Sequence, residues 1–469
     1  MELRKVDTLE VAMEKLLRYA AGSSGPEVMK QTAGLPMETE QVPLTGLPGR
    51  ILAEDVFCQD PVPGFHRSTV DGYAVRSSDT GGASESLPVF LKVIGEVEMG
   101  KAAEMTVGPG ECVYVPTGGM VPAGADAMVM VEYCEGFGTP LHGSGLNVSE
   151  QNGSGLNGGR QAGAVAAGGG AGAGTAPACL QMAVSCSVSA GANLVMAGDD
   201  MAEGQRVLQR GRRIRPADLG VLSAIGRTEA LVYQPWKLSI LSTGDEIVAP
   251  DRVPGPGQVR DVNTYGLYGQ ALEYGFQVVR MEVVCDDPAE LEAKAASAMA
   301  DSDLVVLSGG SSQGKKDATA EIIKNLASSG VLTHGLAVKP GKPTILGFDE
   351  VQRTALIGLP GHPVAALILF REIVGGLWER LTGMSETEKK PAMAGIITVN
   401  LAASPGRKTL QLVTVDDSSC DPMTGLPLVT PVWGKSGLIH TMSQADGYIV
   451  MEVNDEGVQK GTQVEVHLL

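Results

Sequence analysis

The chain has 469 residues, more than one hydrophobic core usually serves, so about two to four domains are expected. Hydrophobic residues (43%) and charged residues (19%) indicate a globular protein, and the net charge of −18 disfavours nucleic acid or an anionic membrane as the main partner. The seven cysteines are scattered without a C-x-x-C pair, which argues against a disulfide framework or a zinc ribbon and favours a reducing cytosol.

The first predicted element is a short amphipathic helix in MELRKVDTLEVAMEK, with Leu9, Met13, Leu16 and Leu17 on one stripe. This segment lacks the long apolar core of a secretory signal. No apolar run approaches the roughly 18 residues that span a bilayer. We therefore expect a cytosolic protein that does not enter a membrane.

Short β-like runs follow, among them LPVFLKVIGEV, ECVYVPTGG and ADAMVMVEY, and Gly and Pro separate them. A Gly- and Ala-rich stretch, residues 136–178, interrupts this region without a three-residue period. That composition excludes collagen and predicts a flexible insertion that carries no chemistry.

From Trp236 onward, strand-like runs alternate with segments of helical composition. KLSILSTGDEIV, FQVVRMEVVCDD and DLVVLSGG read as strands, and a long helix beginning near Pro363 closes the region. Alternation of this kind predicts a parallel sheet with helices on both faces. Ligands bind such sheets beyond the carboxyl ends of the strands, so STGDE, CDD and SGGSSQG should converge on one rim.

The spacing Gly309-x4-Gly314-Lys315 is that of a phosphate-binding loop between a strand and a helix. The next residue should be the Ser or Thr that binds Mg²⁺, and it is Lys316. Three interpretations stay open: an anion-binding loop of another kind, a tight turn without a ligand, and a true ATPase loop. Glycines and a helix N-terminus suit the first of these.

Two carboxylates, Asp286 and Asp317, fall at the end of one predicted strand and just past the next. Such a pair could share a hard cation such as Mg²⁺ and leave positions open for phosphate oxygens, although each alone could be a helix cap. The turn KPGKP adds the ammonium groups of Lys339 and Lys342. His362 has no His or Cys near it in sequence, which disfavours a role as metal ligand.

After about residue 388, short strand-like segments return as GIITVNL, TLQLVTV, ADGYIVMEV and QVEVHLL. They predict a small terminal β domain.

Several motifs occur together in a fixed order: STVDGYAV from Ser68, PTG from Pro116, RRIRPADLGVLSAIG, LSTGDEIV, SGGSSQGKKD, KPGKP and GLPGHPVAAL. This set resembles the molybdenum insertase family, which comprises MoeA, the gephyrin E domain and the plant-type Cnx E domain. The resemblance covers nearly the whole chain outside residues 136–178.

The resemblance implies an elongated homodimer of four-domain subunits. Residues 1–49 with 135–230 would form a split N-terminal domain of mixed α/β structure, and residues 50–134 a β-rich lobe that carries DGYAV. Residues 231–387 would form a doubly wound, MogA-like molybdopterin-binding domain, and residues 388–469 a C-terminal β-barrel-like domain.

The implied reaction takes adenylylated molybdopterin and molybdate as substrates. Mg²⁺ assists cleavage of the phosphoanhydride, AMP leaves, and molybdenum enters the dithiolene of the pterin. A separate molybdopterin adenylyltransferase and downstream cofactor carriers would be partners, without nucleic acid or membrane. Because the dithiolene is the natural soft ligand of molybdenum, the protein needs no cysteine cluster.

Site residues carry over position by position. Asp286, Asp317 and Glu246 would be catalytic, and Asp286 and Asp317 would bind Mg²⁺. The pterin nucleotide would contact Asp71, Thr117, Asp261, Asn263, Ser308, Gly309, Gly310, Gly314, Pro360 and Pro363. Molybdate would contact Lys339, Lys342, Pro343, Arg407 and Ser436, a complement suited to a compact tetrahedral dianion. Asp71 and Thr117 would reach into the cleft of the partner subunit.

The chain departs from the family pattern at several positions. His362 and Ala365 replace the Asn and Ser of GLPGNPVS, and Leu412 stands where a second arginine often follows Arg407. If that second arginine were the anion ligand, the assignment of Arg407 would fail. The alternatives are an ATP-using phosphoryl or nucleotidyl transferase and a gephyrin-like scaffold.

Overall fold

The computed structural model describes residues 6–21, 35, 37–137, 181–309, 316–387 and 391–469, and the side chains of 316 and 317 are excluded from this description. Gly310, Gly314, the carboxylate of Asp317 and nearly all of the predicted insertion therefore lie outside the described part. The chain forms two compact units, Phe57–Val207 and Met1–Val56 with Leu208–Leu469.

The N-terminal segment contains helix α1 (Leu9–Ala20) and strand β1 (Thr39–Pro43), followed by a 3₁₀ turn at Leu44–Gly46. The side chain of Thr8 caps α1 by accepting a hydrogen bond from the Val11 N–H at 3.3 Å. Leu9, Met13 and Leu16 are buried, as the periodicity predicts.

The unit Phe57–Val207 is made mostly of short strands. They are β2 (Val56–Phe57), β3 (Arg67–Ser68), β4 (Gly72–Val75), β5 (Val89–Glu96), β6 (Glu111–Val115), β7 (Ala127–Met130), β8 (Cys134–Phe137), β9 (Gln181–Val184), β10 (Leu194–Val195) and β11 (Arg206–Leu208). Two 3₁₀ turns lie at Ser77–Thr80 and Val131–Tyr133. Six of the strands form one sheet in the order β7-β4-β6-β5-β9-β8.

The bounds of this unit differ from the predicted lobe of residues 50–134. Strand β9 pairs antiparallel with both β5 and β8, and β10 pairs with β3. These pairings bring residues beyond 180 into the same unit. Strand pairing across the Gly- and Ala-rich stretch leaves no local pattern in the sequence.

The chain then forms helix α2 (Pro216–Ala224) and strand β12 (Glu229–Tyr233), which pairs antiparallel with β1. Arg212 forms two hydrogen bonds to the buried carboxylate of Asp218, at 3.0 and 2.8 Å. At least one arginine of the run Arg212–Arg215 therefore stabilises the first turn of α2.

The α/β domain follows, and its elements alternate as predicted. They are β13 (Lys237–Thr243), β14 (Ile247–Val248), β15 (Val259–Arg260), α3 (Asn263–Glu273), β16 (Gln277–Val284), α4 (Pro288–Met299), β17 (Leu304–Gly309), α5 (Lys316–Leu326), β18 (Val331–His334), β19 (Val338–Lys339), β20 (Ile345–Asp349), β21 (Thr354–Leu359), α6 (Pro363–Leu369), α7 (Gly376–Thr382) and α8 (Met384–Thr387). A π-helical turn, Phe370–Gly375, joins α6 to α7 into the predicted long helix.

The central sheet has the order β16-β13-β17-β21-β20-β18. Its first four strands are parallel, and β20 runs antiparallel to both β21 and β18. Alternate strand residues enter two hydrophobic cores: Ile240 and Val306 pack on the side of α1, α3 and α6, whereas Leu241 and Val305 pack on the side of α4 and α5. The predicted doubly wound sheet is confirmed, with an antiparallel edge added to it.

The C-terminal segment forms β22 (Ala392–Ile397), β23 (Leu401–Ala402), β24 (Lys408–Cys420), β25 (Pro427–Pro431), α9 (Ile439–Ser443), β26 (Gly447–Met451), β27 (Gly457–Val458) and β28 (Gln463–Leu468). The pairings β24-β25-β22-β28-β26 close through β26 and β24 into a five-stranded barrel, which confirms the predicted barrel-like domain. Strand β19 of the preceding domain joins the barrel by pairing parallel with β24.

No helix within the described ranges is long and apolar enough to cross a membrane.

Candidate functional site

The carboxyl ends of the parallel strands meet at one rim of the α/β domain. The register places Thr243 of β13 opposite both Val284 of β16 and Gly309 of β17, and Ser308 opposite Leu359 of β21. The polar segments that follow these strands therefore start side by side, as the strand–helix alternation predicts.

Asp286 is tied into this rim by two neighbours. The Thr243 hydroxyl donates to Asp286 Oδ1 at 2.8 Å, and the Asp286 N–H donates to Asp245 Oδ1 at 3.0 Å. The exposed carboxylate of Glu246 lies over Gly244, where an added Cβ would approach Glu246 Oε2 to 2.9 Å. The rim thus gathers the carboxylates of STGDE and CDD.

Asp245 and Thr243 were not among the predicted site residues. Both belong to the STGDE motif, of which only Glu246 is a predicted site residue. In the structure it is Asp245 that contacts the backbone of Asp286.

The donor set at the rim suits a hard cation, because carboxylate and hydroxyl oxygens are the ligands that Mg²⁺ prefers. Across the described ranges, no group of three or more His, Cys, Asp or Glu side chains is placed to hold a metal. Mg²⁺ is commonly bound by only one or two carboxylates together with water and substrate phosphates, so Asp286 fits such a role. Asp317 is the second residue of α5, the next described element after β17 in the chain.

Gly309 ends β17 in a conformation that only glycine adopts readily. Its φ is +138°, and an added Cβ would lie 2.2 Å from the Thr243 carbonyl oxygen. The missing side chain therefore allows β17 and β13 to approach closely at the rim.

Asn263 links two strand ends at the start of α3. Its Nδ2 donates to Ser308 Oγ at 2.8 Å and to the Gly361 carbonyl at 3.0 Å. Its Oδ1 is buried and has no hydrogen-bond partner among the residues that the structure describes. A buried acceptor without a partner is costly, so a ligand N–H group would relieve it.

Asp261 serves the local fold. This buried residue accepts a hydrogen bond from the Thr264 N–H at 3.1 Å, which caps the first turn of α3. Pro360 is also buried, whereas Pro363 is partly exposed at the first position of α6. For Asp261, Pro360 and Pro363, a role in substrate binding stays a prediction.

The predicted molybdate residues lie where the α/β domain meets the barrel. Lys339 is exposed and pairs through its backbone with Thr409 of β24, two residues after Arg407. Arg407 is also exposed, on a turn closed by its N–H donating to the Ser404 carbonyl at 3.1 Å. Lys342 is exposed and Pro343 partly buried, on the same turn as Lys339.

Lys408 follows Arg407 but is engaged elsewhere. Its ammonium contacts Glu10 at 2.5 Å and Glu452 at 3.1 Å. Burial lowers the pKa of Lys408, but the two carboxylates outweigh that effect and raise it on balance. The exposed cations in this region therefore include Arg407, Lys339 and Lys342.

Ser436 reaches the α/β domain from the barrel side. Its Oγ lies 2.7 Å from His362 Nδ1, and its carbonyl accepts from the Val364 N–H at 3.1 Å. In the sequence, His362 stands out only as a disfavoured metal ligand and as a departure from the family pattern, and neither feature predicts this contact. Ala365 and Leu412, which also depart from the family pattern, are buried in the core.

Asp71 and Thr117 belong to the unit Phe57–Val207. Both are exposed, and the Thr117 N–H donates to Asp71 Oδ1 at 2.7 Å. The structure thus joins the DGYAV and PTG motifs within that unit, as two loops that share a hydrogen bond.

Three segments match known families. Residues 23–226 match the MoeA N-terminal region (domain I and II), residues 239–380 a probable molybdopterin binding domain, and residues 394–469 the MoeA C-terminal region (domain IV). The chain is 30% identical over 383 residues to the molybdopterin molybdenumtransferase of Haemophilus influenzae, which covers 82% of this chain and 83% of that protein. It is 27% identical to the molybdopterin molybdenumtransferase of Bacillus subtilis over 92% and 90% of the two chains.

Solved structures agree with these matches. The crystal structure of the molybdopterin biosynthesis MoeA protein from Pyrococcus horikoshii superposes with a TM-score of 0.71 at 30% identity, over 99% of each chain. The fold and the rim define a multidomain protein built around an α/β domain of the molybdopterin-binding type. The chain belongs to the MoeA family of molybdopterin molybdenumtransferases, enzymes of molybdenum cofactor biosynthesis.

Proposed function

We propose that this enzyme catalyses the last step of molybdenum cofactor biosynthesis: Mg²⁺-dependent cleavage of adenylylated molybdopterin, with release of AMP and insertion of molybdate into the dithiolene. The observation that carries the proposal is the rim, where Asp286 is held by Thr243 and Asp245 next to the close approach at Gly309. A pyrophosphate is stabilised by a hard cation, and the Asp286 carboxylate at this rim is suited to hold one.

The pyrophosphate would lie across the ends of β13, β16 and β17. Bound Mg²⁺, held by Asp286 and Asp317, would neutralise the charge on its oxygens. Thr243 orients the Asp286 carboxylate, and Glu246 stands exposed at the same rim. Asn263 would accept from the pterin through its buried Oδ1.

Molybdate would bind beside this rim, at the junction with the barrel. Lys339, Lys342 and Arg407 offer cationic donors, and Ser436 offers a hydroxyl. Ammonium and guanidinium groups together provide the charge-assisted hydrogen bonds that a tetrahedral dianion needs.

The homodimer is part of the proposal. An apolar face runs along α3 and the edge strand β16, and the large side chains exposed on it are Tyr265 (53%), Tyr268 (37%), Leu272 (51%), Val279 (39%), Met281 (36%) and Val283 (43%). Contiguous exposed apolar surface of this kind favours association. A second copy related by two-fold symmetry would cover it.

In such a dimer, Asp71 and Thr117 would serve the active site of the partner subunit. The reaction would take place in the cytosol, with a separate adenylyltransferase supplying the nucleotide substrate and carriers accepting the product.

The test is AMP release from adenylylated molybdopterin by the purified full chain with Mg²⁺ and molybdate, beside an ATP control. We expect molybdate-stimulated release from the pterin nucleotide only. Asp286→Asn or Asp317→Ala should lower the rate by about 10²–10³-fold, as the loss of a charge-stabilising group does elsewhere. Asp301→Asn, at the opposite end of β17 and paired with Arg280, is the matched control and should retain activity.

Two outcomes would contradict the proposal. Turnover of ATP in place of the pterin nucleotide would assign the loop after β17 to an ATP-using transferase. Release from neither substrate would favour a scaffold.

A further inference from the structure

His362 and Ser436 connect the two domains that supply the oxyanion ligands. His362 Nδ1 and Ser436 Oγ are 2.7 Å apart, although 74 residues separate them in the chain. The Ser436 carbonyl accepts from the Val364 N–H as well, at 3.1 Å. Both the backbone and the hydroxyl of Ser436 are therefore anchored at the start of α6.

We propose that His362 is a positioning residue that sets the direction of the Ser436 hydroxyl hydrogen and thereby the affinity for a tetrahedral oxyanion. The inference rests on the proposed function, because it takes Ser436 as a molybdate ligand. His362 itself does not contact the oxyanion in this arrangement.

The number of hydrogens that Ser436 and His362 carry limits how they can pair. A serine hydroxyl carries one hydrogen, and Nδ1 of a neutral imidazole is either a donor or an acceptor. If Nδ1 accepts, the only hydrogen of Ser436 points at the ring, and Oγ presents lone pairs to an approaching oxyanion. If Nδ1–H donates, the Ser436 hydrogen is available to the oxyanion.

Oxyanion binding therefore selects the form of His362 that carries hydrogen on Nδ1. The contact at 2.7 Å admits either direction, so the ligand decides between them. A residue that can only accept at this position would hold the serine hydrogen permanently and weaken anion binding.

Three substitutions separate these roles. Asn places an amide at the same distance from Cα as Nδ1 and can donate, so His362→Asn should preserve the arrangement. Asp places an acceptor there and no donor, so His362→Asp should capture the serine hydrogen. His362→Ala removes the orienting group and leaves Ser436 free to rotate.

The experiment is equilibrium dialysis of molybdate against the full chain, with wild type, the three His362 variants, Ser436→Ala and each double variant. We expect His362→Asn to bind within about threefold of wild type and His362→Asp to bind about tenfold more weakly or worse, the size of one lost charge-assisted hydrogen bond. His362→Ala should fall between them.

The double variants remove the effect of charge alone. The negative charge of Asp repels molybdate whether or not Ser436 is present, but hydrogen capture requires the serine. The His362→Asp effect should therefore shrink severalfold in the Ser436→Ala background. An equal loss of molybdate affinity in both backgrounds would overturn the inference. So would His362 variants that all bind molybdate like wild type, or a wild-type protein that shows no saturable molybdate binding.

Parallel measurement of AMP release separates the two proposals. If the binding pattern is as expected but wild type releases no AMP from the pterin nucleotide, the proposed reaction fails and the role of His362 stands. If AMP is released while half-saturating molybdate is the same in every His362 variant, the role of His362 fails and the reaction stands.

Discussion

Gly309 is a rim residue whose substitution the structure tolerates poorly. An added Cβ would meet the Thr243 carbonyl at 2.2 Å, and the φ of +138° strains any other residue. We expect Gly309→Ala to lower the free energy of unfolding by about 3 kcal/mol, measured by urea denaturation. Gly220→Ala is the control, since no atom lies within 4 Å of a Cβ on this exposed residue of α2, and it should gain up to about 1 kcal/mol. Equal stability of both variants would contradict the close approach.

Asp218 links pH to stability. Burial raises the pKa of this carboxyl, but the hydrogen bonds from Arg212 and from the Arg215 backbone outweigh burial and lower the pKa on balance. A lowered pKa in the folded chain means that the carboxylate stabilises the fold above the unfolded pKa of about 3.9, and that this contribution is lost as the pH falls through the folded value.

We expect Asp218→Asn to lower the free energy of unfolding by about 1–3 kcal/mol at pH 7. The difference from wild type should narrow progressively below a pH of about 4. Urea denaturation across this range measures both. Glu98→Gln, which breaks the exposed pair with Lys101, should have little effect at any pH. A difference that widens toward acid pH would refute the assignment.

The position of a site residue could be predicted from the sequence where it follows from strand order. It could not be predicted where it depends on packing. Asp286 was placed at the rim because it follows a strand of a parallel sheet. Whether Asp245 or Glu246 turns toward it depends on local backbone geometry, which composition does not encode. The His362–Ser436 contact requires two domains to be docked, and no local pattern reports that.

Among the elements, the antiparallel strands β8 and β9 lie on either side of the Gly- and Ala-rich stretch in the chain. Phe137 pairs with Gln181, so the chain leaves and re-enters the sheet at directly opposed residues. We expect that replacing residues 138–180 by Asn-Gly preserves the fold, because this dipeptide forms the tight turn that joins antiparallel strands. The free energy of unfolding should not fall, and loop closure should raise it by up to about 2–3 kcal/mol.

Thermal unfolding together with the AMP-release assay measures this change. The same deletion with a Gly-Ser linker in place of Asn-Gly is the control, because it shows whether the identity of the turn residues matters. Loss of folded protein with both linkers would show that residues 138–180 contribute to the fold.

Element identity was largely predictable. The strands of the α/β domain were recognised because buried parallel strands are short apolar runs that end in Gly, Ser, Thr or Asp, and this domain has several. The antiparallel edge β20–β18 was not foreseen, because strand direction depends on the connection and leaves no mark in periodicity. Strand β19 has two residues, too few for any pattern.

For the whole molecule, the apolar face of α3 and β16 predicts the oligomeric state. Leu272→Asp places a charge in the centre of this face and should convert a dimer into a monomer, since an unpaired charge is costly at a buried interface. Analytical ultracentrifugation would show the mass halved. Met423→Asp, at a residue 94% exposed on the barrel, should remain dimeric.

A monomeric wild type would contradict the homodimer. A dimeric Leu272→Asp would move the interface to another face of the chain.

Strand β19 has a consequence for how this protein melts. It lies between β18 and β20 in the chain and yet pairs with β24 of the barrel, while Arg371 of the π-helical turn donates to the Leu468 carbonyl. Neither the α/β domain nor the barrel can lose its structure without breaking hydrogen bonds of the other. We expect calorimetry to record the unfolding of both domains as a single endotherm. Two fragments made by dividing the chain near residue 388 should each be less stable than the same domain in the intact chain.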